Sequence, residues 1–222
     1  MKLIIKPIQF FIFFLGINPI ALIAQNVNQP VTLTQYVFNE FSPGIVMMKS
    51  GEVYNQALNY NIVTNEMIFN NNGSFMAIAQ PENVDTVFIN NRKFIPLNKK
   101  FFEILADEKF PLLLEFTATI HEPGNPIGYG NNSSTNATSN LKSIISSGGS
   151  YALKLPDGYS VTPGYNYWIL ENGKLMKAGS DRQLIKIFPD KKDKIKDFIQ
   201  KNHTNFSKRE DMILLIQHLE SH

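Results

Sequence analysis

Residues 81–97, PENVDTVFINNRKFIPL, decide how the rest of the chain is read. Two runs rich in Val, Phe and Ile, 85–89 and 93–97, flank Asn90-Asn91, and asparagine tolerates the positive φ that a two-residue turn between antiparallel strands requires. The stretch therefore reads as a β-hairpin. Pro96 lacks an N–H and suits a strand end or a sheet edge. Upstream, 44–48 (GIVMM) and 53–61 read as strands around a KSGE turn. In the second, Tyr54, Gln56, Leu58, Tyr60 and Ile62 form the more apolar face, opposite Val53, Asn55, Ala57, Asn59 and Asn61. Further strands follow at 67–69 and 75–79, joined by the strong turn signal Asn72-Gly73. Downstream, 101–106 fits a short helix with Leu105 beside Phe101 or Phe102, and 112–120 (LLLEFTATI) reads as a central strand.

The composition changes after that strand. Residues 122–149 hold Pro123-Gly124, Gly128-Tyr129-Gly130 and the polar tract NNSSTNATSN, a loop long enough to be either functional or disordered. Strands resume at 151–155 and 165–170, with a turn at Glu171-Asn172-Gly173-Lys174. From Ser180 the pattern is helical. Ser180/Gln183 and Ser207/Glu210 match capping boxes, and Pro189 suits the first turn of a middle helix carrying Ile195, Phe198 and Ile199. The third helix is expected to bury Ile213, Ile216 and Leu219. The fold class is therefore α+β: an antiparallel β-rich meander closing into a barrel or a sandwich, with a C-terminal cap of two to three short helices. The expected divisions are a signal peptide over 1–24, a lead-in over 25–43, the β domain over 44–178 with the 122–149 loop inside it, and the cap over 180–222.

The N-terminal stretch carries Lys2 and Lys6, an apolar run containing FFIFFL, and the small residue Ala24, which together read as a secretory signal, cleaved or kept as an anchor. No later stretch is apolar enough to span a bilayer as a helix. The chain has 21 basic and 19 acidic residues; setting aside Lys2 and Lys6 leaves 19 of each, so nothing attracts nucleic acid by net charge. Zero cysteines exclude disulfides, thiolate metal sites and a cysteine nucleophile.

Several phrases together carry a resemblance: Glu82-x-Val84-Asp85-x-Val87, Arg92-Lys93-Phe94-x-Pro96, Gly128-Tyr129-Gly130, and the closing run from Phe188-Pro189-Asp190-Lys191-Lys192 to Arg209-Glu210-Asp211. From about residue 44 to 220 the chain resembles an uncharacterised family of exported proteins of Bacteroidetes-type bacteria. That resemblance implies a periplasmic, outer-envelope or extracellular setting and supplies no catalytic or binding residues.

Candidate chemistry is sparse. His121-Glu122 ends the strongest strand; with Asp85 it is the set from which a cysteine-free envelope hydrolase would be assembled, although no second histidine lies at metal-ligand spacing. Tyr129, between two glycines, can present its ring to a sugar or peptide. Tyr167 and Trp168, beside Tyr165, form an aromatic cluster that either stacks on a ligand or fills the core, with Trp168 on the opposite strand face from the two tyrosines. No metal or cofactor motif is legible. The reading is thus a non-catalytic envelope or periplasmic interaction module binding a protein or a glycan, with the hydrolase as alternative.

Overall fold

The computed structural model describes residues 33–123, 141–146 and 150–221. The expected signal at 1–24 and Tyr129 with most of its loop lie outside these residues. Ten antiparallel strands form one sheet: β1 (Ser42–Met48), β2 (Val53–Asn61), β3 (Glu66–Asn71), β4 (Ser74–Ala77), β5 (Val84–Ile89), β6 (Arg92–Leu97), β7 (Lys100–Ala106), β8 (Leu112–His121), β9 (Ser160–Glu171) and β10 (Lys174–Lys177). Their order is β10-β9-β8-β7-β6-β5-β1-β2-β3-β4. Two meanders thus meet where β5 returns to lie along β1. Three helices follow, α1 (Asp181–Ile187), α2 (Lys192–Asn202) and α3 (Arg209–Glu220). No described helix is long and apolar enough to cross a membrane.

The expected hairpin is present: Asn90 and Asn91 both take positive φ, at 48° and 61°, and Val87 pairs with Phe94. Pro96 lies where β6 has run past its pairing with β5, so its missing N–H breaks no ladder there. Asn72-Gly73 and Asn172-Gly173 turn the same way, with positive φ throughout. So does Asn98-Lys99, at 50° and 64°. That fourth turn overturns the helix expected over 101–106. It feeds the chain back as β7, whose alternate residues Phe101 and Glu103 face inward while Phe102 faces away, and both phenylalanines are buried.

The sheet is not closed into a barrel, because β4 and β10 end it unpaired with one another. It doubles over instead, an arrangement compatible with a sandwich. Tyr60 on β2 meets Phe94, Phe101 and Phe116 of β6, β7 and β8 at ring-centroid distances of 6.3, 6.2 and 6.0 Å. Leu58, Met67, Val87 and Ile89 complete this first core. Gly44 lets the layers approach: a Cβ there would sit 2.6 Å from the Phe88 carbonyl oxygen and 2.7 Å from Leu58.

Alternation along β2 fails in its second half, where Leu58, Asn59, Tyr60 and Asn61 are all buried. The preceding segment covers the polar face. Asn59 accepts from Phe38 N (3.1 Å) and Tyr60 N (2.8 Å), and donates to the carbonyls of Phe38 (2.8 Å) and Glu40 (3.2 Å). Leu33 and Tyr36 from the stretch read as a lead-in are buried as well. The strand expected over 151–155 does not form. Tyr151 donates one backbone bond to Phe75 on β4, and its hydroxyl donates to Glu66, so the segment covers the sheet edge without extending the sheet.

A second core lies between β8–β9 and the helices, with Leu112, Leu114 and Ile169 under Leu184, Ile195, Met212, Leu215, Ile216 and Leu219. Met212 and Leu215 join Ile216 and Leu219 on the buried side of α3, whereas Ile213 is only partly buried, so the stripe is rotated from the expected one. Ser180 caps α1 as anticipated: its Oγ accepts from Gln183 N, and Gln183 Oε1 accepts from Gly179 N at 2.8 Å. Ser207 does not cap α3. Asp211 reaches back to Asn205 N and Asn205 accepts from Ser207 N, each at 2.8 Å, which orders the turn in place of a capping box.

Candidate binding site

One row of the register runs across six strands: Val46, Val87, Phe94, Glu103, Leu114, Tyr167. Five of the six are apolar or aromatic. The exception, Glu103, is 1% exposed and carries a charge into the seam between the two cores. Arg92 answers it with two bonds, Nε to Oε1 at 2.7 Å and Nη2 to Oε2 at 2.5 Å, and Arg209 at the start of α3 donates to Oε1. The Arg92 guanidinium also rests on Phe38, Phe116 and Phe94 at 4.8, 5.4 and 5.5 Å. Arg209 is thereby tied to the sheet, and with it the turn immediately before α3.

That turn closes a pocket. At Ala178 the chain makes its last bond to β9, N–H to the Tyr167 carbonyl at 2.9 Å, and leaves for α1. From Tyr167 back toward Ser160 no described strand lies beside β9, and Pro163 sits in this free stretch without an N–H to offer another chain. Phe206 and Ser207 come across from the α2–α3 turn, and the Tyr165 hydroxyl donates to the Ser207 carbonyl, bracing the gap. The hollow so enclosed measures about 320 Å³.

Its walls mix aromatic rings with unspent polar atoms. Tyr165 is 42% exposed and packs edge-on against Tyr167, centroids 5.5 Å apart, with Phe206 nearby. The Tyr167 hydroxyl is buried with no hydrogen-bond partner in the protein. Burial, with Tyr165 beside it, pushes this phenol up, so it remains a protonated donor at neutral pH. Gln183 spends its oxygen on Gly179 and keeps its amide N–H groups. Asn166 donates to Glu115 at 3.4 Å and keeps its carbonyl. Lys177 lines the same hollow.

Tyr167 is therefore in the pocket. Trp168 is on the other sheet face, half-buried, with Nε1 donating to Glu115 Oε2 at 3.0 Å and Lys100 bonding the other carboxylate oxygen at 2.8 Å. Burial pushes Glu115 up, but Lys100, Asn166 and Trp168 together outweigh it and hold the carboxyl below its ordinary range. His121 and Glu122 are exposed, with His121 Nε2 at 2.9 Å from Thr162 Oγ1. Asp85 is exposed at the bulge opposite Met47 and Met48, accepting from Thr86 at 2.9 Å. Strands β6 and β7 separate Asp85 from His121, a lateral distance of about 14 Å at ordinary strand spacing in a flat sheet. Among the described residues no three His, Cys, Asp or Glu side chains are grouped to hold a metal.

Sequence reasoning singled out Tyr167 and missed Lys177, Gln183, Phe206 and Ser207 as neighbours of it. The one available signal was the Ser180/Gln183 capping box, which orients Gln183 but says nothing of what its free amide faces. No family model matches the chain, and neither a curated protein nor a solved structure is detectably similar to it.

Proposed function

We propose that this protein is an exported, non-catalytic binding module of the bacterial cell envelope, and that its ligand is a glycan seated in the pocket between β9 and the helical cap. The observation that carries the reading is the buried Tyr167 hydroxyl, unpartnered and lining a hollow walled by two further aromatic rings. A buried donor without an acceptor is costly, by about 1–3 kcal/mol, and a ligand oxygen would relieve it. Aromatic faces to hold a ring, with a few fixed donors and acceptors to orient hydroxyls, are the makings of a small-molecule site, and the volume is at the small end of such pockets, about 300–1,000 Å³. The size suits one sugar ring at the end or branch of a chain. Export is supported by the basic, apolar and small-residue order of the first 24 positions.

Calorimetric titration of the full chain with envelope oligosaccharides tests the site. Binding is expected, weakened at least tenfold, about 1.4 kcal/mol, by Tyr165→Ala and also weakened by Asn166→Ala. Binding unchanged in both variants would place the ligand elsewhere. Cell fractionation tests the setting: recovery in the cytoplasm with residues 1–24 intact would sink it.

A further inference from the structure

We infer that the pocket is selective for an acidic sugar, one whose ring carries a carboxylate or a sulfate ester, and that Lys177 is the residue that reads this charge. The inference rests on the glycan reading above and narrows it. Lys177 is the only charged side chain among the pocket's lining residues. Its ammonium lies 5.6 Å from the centre of the Trp168 ring, and no carboxylate pairs with it among the described residues. The nearby carboxylates are already engaged: Glu115 by Lys100, Asn166 and Trp168, and Glu103 by Arg92 and Arg209.

The cation–π contact directs the side chain without neutralising it. It holds the stem over the indole while leaving the charge available, and the register fixes where that charge sits, because Lys177 is paired directly with Trp168 at the last position of β10. The other polar atoms suit the uncharged part of such a ligand. Tyr167 Oη and the Gln183 amide donate, Asn166 Oδ1 accepts, and Tyr165 and Phe206 offer ring faces. A neutral sugar would satisfy these groups and leave the ammonium unused. An anionic substituent uses all of them.

The test is titration of the full chain with oligosaccharides in matched pairs, each uronate-containing glycan beside its methyl ester and each sulfated glycan beside its desulfated form. The expected result is that one acidic class binds at least tenfold more tightly than its neutral partner. That preference should fall as salt is raised, disappear in Lys177→Met and return in Lys177→Arg. Lys177 is exposed, so both variants should unfold at the wild-type denaturant midpoint. Equal affinity for acidic and neutral partners, or a preference that survives Lys177→Met, overturns the inference and leaves the glycan site standing. Binding of no glycan in either class overturns both. The uronate and sulfate arms identify which anion is read.

Discussion

Both ends of the molecule leave a hollow, and the two hollows differ in kind. Between β1, β2 and β3 there is one of about 250 Å³ walled by Val46, Met48, Leu58, Phe69 and Ile78, where only Gln56 and the Tyr54 hydroxyl bring side-chain polar atoms. Between β9 and the helices the hollow is of similar size but has an amide from each of two elements, a buried phenol and an ammonium. The first arises where strands face strands. Period-2 side chains there fill the space with hydrocarbon, and the shortfall is a gap in a core. The second arises where irregular chain, at 178–180 and 203–208, meets a strand that has outrun its neighbour. Irregular segments bring polar atoms that no ladder consumes, and this difference, more than volume, separates a binding site from a packing defect.

The comparison can be broken most severely at the seam. Glu103→Ala would leave Arg92 and Arg209 facing each other without their carboxylate, and should cost about 3 kcal/mol in urea unfolding, the low end for a broken buried pair because Arg209 is 35% exposed. It should also loosen the α2–α3 turn, read as faster amide exchange at residues 205–208. A loss below about 0.5 kcal/mol would mean that the two regions are not joined there.

Gly44→Ala strikes the strand-on-strand end alone. Its Cβ would press on the Phe88 backbone oxygen, and overpacking of this kind costs about 1–3 kcal/mol. Glycan affinity should be unchanged; a variant that loses binding in proportion to stability would show that the ends are not independent.

Smaller effects sharpen the cap. Ser180→Ala should lower stability by about 1 kcal/mol through loss of a real N-cap. Ser207→Ala should stay within about 0.5 kcal/mol of wild type, because only its backbone is used. Equal losses from both would restore the second capping box.

The mildest effect depends on pH. Glu115 is held below its ordinary range when folded, so its contribution is present above the unfolded value, about 4.3, and fades as pH falls through the depressed folded value. Glu115→Gln should therefore unfold more easily than wild type at neutral pH and converge with it in strong acid. A gap that widens in acid would contradict the assigned partners.

How much was legible follows from how local each signal is. Asn72-Gly73, Asn90-Asn91 and Asn172-Gly173 declare their turns because asparagine and glycine accept positive φ wherever they stand. Asn98-Lys99 makes the same turn without the same signal, since lysine pays no visible tribute to that conformation, and β7 was misread as helix in consequence. Asn59 appeared as one of several asparagines on a polar face. Its four hydrogen bonds exist only because residues 38–40 are brought across β2. Ser180 and Ser207 share a capping pattern, yet only Ser180 meets a helix start that places the next N–H groups within reach.

Taken alone, the sequence determined the antiparallel strands, most of their turns, the helical cap and the absence of cysteine chemistry, because each depends on residues within a few positions of one another. Tertiary structure decided that the sheet doubles over without closing, that Glu103 is buried between two arginines, and that Tyr165, Lys177, Gln183 and Phe206 surround one hollow. Those depend on strand register and on where a cap lands, quantities set by the sum of many contacts between residues far apart in the chain, and no short window of sequence contains them.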